Sequence, residues 1–249
     1  MLLTDELKAL ANAEKAKFLQ GFFKTGKGQY AEGDLFLGIT VPQIRAVVKP
    51  YRGLSLSEIE TLVKSEFHEI RLAGFLLLVE RFKKSKSETE RGEIYDFYLR
   101  NARRANNWDL VDLTCKDIVG AYLLDRKDRR ILARLAQSDN LWEQRIAMVS
   151  TFAFIKNGDF GDALAIAEQL LPHRHDLIHK AVGWMLRETG KKDKETLLAF
   201  LDAHAAVMPR TALRYAIEHF SPDEREKYMS MKQFYLAKQK RKTEAQNNG

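Results

Sequence analysis

A single cysteine, Cys115, stands in a chain of 249 residues, so no internal disulfide can form. That fits a reducing compartment, and the apolar neighbours of Cys115 predict a buried, inert thiol rather than a nucleophile. Long hydrophobic runs are also missing: the 18 or more consecutive apolar residues of a membrane span occur nowhere. The opening stretch, MLLTDELKALANAEKAKF, mixes charges at helical spacing and does not read as a signal peptide, so a cytoplasmic protein without membrane attachment is expected. Proline is scarce, with five in all, and segments that alternate as strands do are few. Acid is in deficit, 34 Asp and Glu against 41 Lys and Arg. The deficit is one-sided: residues 1–125 hold 19 basic and 18 acidic side chains, residues 126–249 hold 22 and 16. An excess of this kind attracts the phosphates of a polyanion. It also serves plain solubility, and part of it belongs to KQKRKTEAQNNG, read as the end of a flexible basic tail over about 232–249.

What is present is helix, almost end to end. Hydrophobic residues make up 45% of the chain, enough for a substantial core, and they recur at three and four positions in LAGFLLLVERF, KDIVGAYLL, RIAMVSTFAFI, HKAVGWML and ALRYAIEHF. Capping boxes are visible in SLSE, with Ser55 and Glu58, and in SPDE, with Ser221 and Glu224. The five prolines are expected where helices begin. YAEGDLFLGITVP is the longest expected non-helical connection. The fold class is all-α.

Helix pairs of similar length call for a test of internal repetition. Aligned by their apolar positions, HEIRLAGFLLL, WDLVDLTCKDI, WEQRIAMVSTF, LIHKAVGWML and PRTALRYAIEHF place Ala73, Asp112, Ala147, Ala181 and Ala212 in one column, at spacings of 39, 35, 34 and 31. These spacings suit HEAT-like repeats stacked as one α-solenoid domain over 1–249, whose concave side can hold an elongated partner. Four members of the column are small enough to let helices approach, and the fifth is an acid. Burying an unpaired carboxylate there costs several kcal/mol, roughly, so Asp112 either faces a wet groove or pairs with a cation, for which Arg145 is the candidate. Three positions further on, the column reads Leu76, Cys115, Ser150, Trp184 and Tyr215. If neighbouring repeats stack in parallel, Trp108, Asp112, Arg145 and Trp184 meet on one patch. Each also has a plainer reading: Trp108 as a core or staple residue at a helix start, Asp109 and Asp112 as complements to a helix N-terminus, Trp184 as core, and Arg145 as a clamp between repeats. His173, His175 and His179 in HRHDLIH have a spacing that can chelate a metal, but no further ligand completes a site, so no metal is expected.

Taken together, NNWDLVD, LWEQRIA and HKAVGWMLRE, in that order and with YAEGDLFLGITVP upstream, resemble the DNA alkylation repair family of HEAT-repeat DNA glycosylases over residues 18 to 220. The resemblance implies an α-solenoid with a basic concave groove that binds duplex DNA and removes N3- or N7-alkylated purines; that chemistry requires no cofactor, and a monomer is the default for such a solenoid. Carried over residue by residue, it assigns the sugar-facing tryptophans to Trp108 and Trp184, the catalytic carboxylate to Asp112 and its partner arginine to Arg145. Tyr30 takes the place of a groove tyrosine, and Lys180 and Arg187 those of phosphate contacts. Hydrolysis by water is expected rather than Schiff-base chemistry at Lys180. The rival expectation is a non-catalytic HEAT-like scaffold that binds branched or damaged DNA, or a protein, through the same groove.

Overall fold

The computed structural model describes residues 2–233, and among these residues the fold is an all-α helical repeat with no β-strand. The tail expected over about 232–249 lies outside the described residues from 234 onward, while 232 and 233 are helical. The chain divides into two compact units, Met1–Arg129 and a second beginning at Arg130. The first contains α1 (Leu2–Ala9), α2 (Ala13–Phe22), α3 (Val41–Val48), α4 (Leu56–Val63), α5 (His68–Lys84), α6 (Glu88–Arg100), α7 (Trp108–Asp112) and α8 (Ala121–Leu123). The second contains α9 (Arg130–Ala136), α10 (Leu141–Ser150), α11 (Phe152–Lys156), α12 (Gly161–Leu170), α13 (Asp176–Lys192), α14 (Lys194–His204), α15 (Arg210–Ala216) and a helical stretch over 222–233.

Both capping boxes read from sequence form. The Ser55 side chain accepts from the Glu58 N–H and Glu58 answers at the Ser55 N–H, and Ser221 and Glu224 do the same. Thr40 and Gln43 make a further box at the start of α3. The prolines divide by role. Pro42, Pro209 and Pro222 stand at helix starts, whereas Pro50 lies in the 3-10 turn after α3 and Pro172 in the turn after α12. Those two end helices, because proline lacks the N–H that the next turn needs.

In the first unit, α5 is the axis. Its apolar side chains are buried nearly all round, among them Leu72, Phe75, Leu76 and Leu78, and α3, α4, α6 and α7 pack on it. The non-helical connection is longer than expected and runs over residues 23–40. Glu69, itself buried, ties it down by accepting from the N–H groups of Leu37 (2.9 Å), Gly38 (2.8 Å) and Ile39 (3.2 Å). Gly38 has φ 82°, and a Cβ there would lie 2.2 Å from the Asn12 carbonyl oxygen. Glycine is therefore required where this loop passes under the start of α2. Held in this way, the loop delivers Asp34 to the N-terminal end of α5.

The second unit is organised around α13, on which α10, α11, α12, α14 and α15 pack. The alanine column holds in both units: Ala73, Ala147, Ala181 and Ala212 are buried on α5, α10, α13 and α15, while Asp112 on α7 is partly exposed.

Candidate functional site

Trp108 and Asp112 are the first and last residues of α7, and the i, i+4 spacing puts them on one face. Asn107 caps the helix, its side chain accepting from the Trp108 N–H at 2.9 Å. The sequence suggests that the helix runs on through LTCKDI, but it breaks after Asp112, where the bonding of Thr114 changes. In an unbroken helix the Thr114 N–H would bond the Leu110 carbonyl. Here the Thr114 hydroxyl donates to that carbonyl and the N–H turns to Val111 instead. Tyr98 holds the hydroxyl in place at 2.9 Å. Lys116 Nζ bonds the Asp112 carbonyl at 2.9 Å, and a π-helical turn follows over Lys116–Gly120. Asp112 therefore ends a helix and is not walled in by a continuing one. Cys115, just beyond it, is buried as expected.

The Trp108 indole is partly exposed and meets two phenylalanines, Phe22 edge-on with centroids 6.0 Å apart and Phe23 tilted at 5.3 Å. Phe23 stacks on Phe36 at 5.2 Å, and Phe36 on the His68 ring at 4.6 Å. Phe22 and Phe18 are largely exposed, and α2, which carries them beside Lys15 and Lys17, buries no residue at all. Beside Trp108, then, there is an apolar and basic surface that sequence patterning does not separate from ordinary helix.

Under this surface runs a chain of buried charges. Asp109 accepts from His68 Nε2 at 2.8 Å, His68 Nδ1 meets Asp34 at 3.1 Å, and Asp34 is paired with Arg71. All four side chains are buried. Burial works against a charge on His68, but the charge and hydrogen bond of Asp109, followed by those of Asp34, prevail and push its pKa up to about 9. Burial would likewise raise Asp34, yet its bonds to His68 and Arg71 hold it below the usual carboxylate range. The ring is thus an imidazolium shared between two carboxylates at neutral pH. The two acids of NNWDLVD part company here, Asp109 facing inward onto His68 and Asp112 remaining partly exposed. The one signal in the sequence is that FHEIR places three charged or polar side chains in the first turn of a helix that then runs through LAGFLLLV.

Tyr30 lies partly exposed in the turns of the loop over 23–40. The remaining assigned residues belong to the second unit. Arg145 is buried on α10 and donates to the carbonyl of Leu177, which ties α10 to the start of α13. Trp184 is partly exposed on α13, 6.0 Å from the Phe152 ring. Gly183 beside it lets α13 close onto α15, since a Cβ would come within 2.4 Å of the Ala212 carbonyl oxygen. Lys180 is paired with Asp176 at 2.9 Å, and Arg187 with Glu218 and, at 3.6 Å, Glu188. The three histidines are occupied by the backbone of their turn. His173 accepts from the His175 N–H at 2.9 Å, His175 from the Leu177 N–H at 3.2 Å, and His179 bonds the His173 carbonyl. Among the described residues no group of three or more His, Cys, Asp or Glu side chains is arranged to hold a metal ion, and no helix is long and apolar enough to cross a membrane.

The sequence was compared with known families, curated proteins and solved structures. No curated protein matches it. Among solved structures it is similar to a predicted DNA alkylation repair enzyme from Enterococcus faecalis, with 18% identity and a TM-score of 0.68, covering 85% of this chain and 97% of that one. At that identity the likeness concerns the fold. The family model described as DNA alkylation repair enzyme matches residues 3–220, a wider span than the four motifs mark. The chain thus belongs to the family of DNA alkylation repair enzymes, and its role lies in DNA repair.

Proposed function

We propose that this protein is a monofunctional DNA glycosylase that hydrolyses the N-glycosidic bond of N3- or N7-alkylated purines in duplex DNA. The observation that carries the reading is the divergence of two neighbouring acids: Asp109 is consumed by His68, whereas Asp112 ends α7 partly exposed, on one face with Trp108. A scaffold that only grips phosphates has no use for such an acid, which would repel them.

Alkylation at N3 or N7 puts positive charge on the purine and weakens its bond to C1′. On cleavage the base departs with the bonding electron pair as a neutral alkylpurine, and the positive charge passes to the deoxyribose. The Asp112 carboxylate stabilises that cationic sugar and orients a water molecule, whose oxygen bonds C1′ while its proton leaves through the carboxylate to solvent. The indoles of Trp108 and Trp184 add cation–π attraction of roughly 0.5–2 kcal/mol each. Arg145 is assigned to keeping Asp112 ionised, Tyr30 to the groove wall, and Lys180 and Arg187 to phosphates, the latter two by sharing or exchanging their present carboxylate partners.

The test is release of free base from methylated duplex DNA. Asp112→Asn keeps the shape of the side chain and removes its charge, so DNA binding stays within about twofold while excision falls by roughly 100-fold or more. Equal release by the two proteins contradicts the role given to Asp112. No release by the parent from any N3- or N7-alkylated duplex favours the scaffold.

A further inference from the structure

Five residues make a helix too short to hold its own orientation. The direction in which α7 presents Trp108 and Asp112 must therefore come from what grips it. Besides the contacts of Trp108 with Phe22 and Phe23, several attachments are present. Leu110 and Val111 are buried. The Leu110 carbonyl is held by Thr114, which Tyr98 holds in turn. Asp109 is bonded to His68 Nε2 at 2.8 Å. Lys116 Nζ also holds the Asp112 carbonyl, from the turn that follows, but the Asp109–His68 bond is charged at both ends and attaches the residue between Trp108 and Leu110 to the base of α5.

We propose that His68 is the positioning residue of the candidate site: by gripping Asp109 it fixes the rotation of α7 and so determines where Trp108 and Asp112 point. The inference rests on the glycosylase reading for its consequence in catalysis, though not for its geometry. His68 is well placed for the task. Asp34 secures its other ring nitrogen at 3.1 Å and is itself secured by Arg71, whose guanidinium also donates to the carbonyls of Ser65 and Glu66. Phe36 and Phe23 cover the ring at 4.6 and 5.1 Å, and Phe23 passes the contact on to Trp108 at 5.3 Å. The charged groups facing His68 are Asp109 from α7 and Asp34 from the loop. On its own helix Arg71 acts through Asp34, and the Glu69 carboxylate is turned to the backbone over 37–39. The imidazolium thus has two anionic partners, and its loss leaves two buried carboxylates facing each other across the ring.

The experiment uses the full chain labelled with 5-fluorotryptophan. The Trp108 resonance is assigned with Trp108→Phe and followed by fluorine NMR from pH 6 to 10 in the parent, His68→Gln and Asp109→Asn, alongside single-turnover excision and DNA affinity. In the parent the Trp108 line moves with a midpoint near 9, where His68 loses its proton. In His68→Gln it no longer moves. In Asp109→Asn it is displaced already at pH 7 while the Trp142 line stays. Single-turnover release by Asp109→Asn falls at least about tenfold at saturating DNA with affinity within about threefold, as expected for a misplaced catalytic face. A Trp108 line indifferent to pH in the folded parent overturns the proposal, and that outcome needs no variant to fold. So does release by Asp109→Asn equal to the parent's. A parent that releases no base at all contradicts the glycosylase reading, while the fluorine titration still decides whether His68 positions α7.

Discussion

Asp109 and Asp112 are the same side chain three residues apart, and their environments give them opposite work. One neutralises a buried imidazolium; the other stays partly exposed at the end of a broken helix. The His68 charge also enters stability. Its folded pKa of about 9 lies above the ordinary 6.5, so its contribution is fully present below about pH 6.5 and is lost as pH rises through about 9. A shift of that size corresponds to a contribution on the order of 3 kcal/mol. Thermal melts of the parent should therefore show a midpoint falling between pH 6.5 and 9, and His68→Gln should start lower and fall less over the same window. Parallel curves for the two proteins would mean that His68 is not charged in the fold. Of the assigned residues, Asp112 stands out in the sequence because it interrupts a column of alanines, and Trp108 because it lies one helical turn before that acid. His68 does not, because its partners lie 34 and 41 residues away, and pairings at such distances leave no trace in a periodic pattern.

At the scale of elements, local chemistry was readable and tertiary interference was not. Ser55, Glu58, Ser221 and Glu224 form their boxes because all the groups involved lie within four residues. At the break after Asp112, Thr114 is bonded by Tyr98 from another helix, a contact that WDLVDLTCKDI, continuous on paper, does not show. Gly183 marks a close approach of two elements. Gly183→Ala would bring a Cβ within 2.4 Å of the α15 backbone and of Tyr215, and α13 must move away from α15 to accept it. The expected cost is about 1–3 kcal/mol, measured by denaturant unfolding, with a loss of excision from the displaced Trp184 exceeding any loss of DNA affinity. A stability equal to the parent's would show that the two helices are not in close contact.

At the scale of the whole molecule, the spacing of the alanine column and the helices of the described residues agree on a helical repeat. The regular burial of Ala73, Ala147, Ala181 and Ala212 is the physical reason the repeat was legible. The net charge of +7, concentrated after residue 125, predicts binding to duplex DNA that weakens steeply with salt. Lys180→Ala should reduce the slope of log affinity against log salt by about 0.9, and do so alike for alkylated and undamaged duplexes. An unchanged slope would remove Lys180 from the phosphate contacts. The most direct measurement remains the single-turnover rate at which a duplex bearing one N7-methylguanine loses its base to the parent protein and to Asp112→Asn at saturating enzyme. Rapid release by the parent and a rate lower by about two orders of magnitude or more in the variant is the predicted result; matching rates would contradict catalysis by that carboxylate.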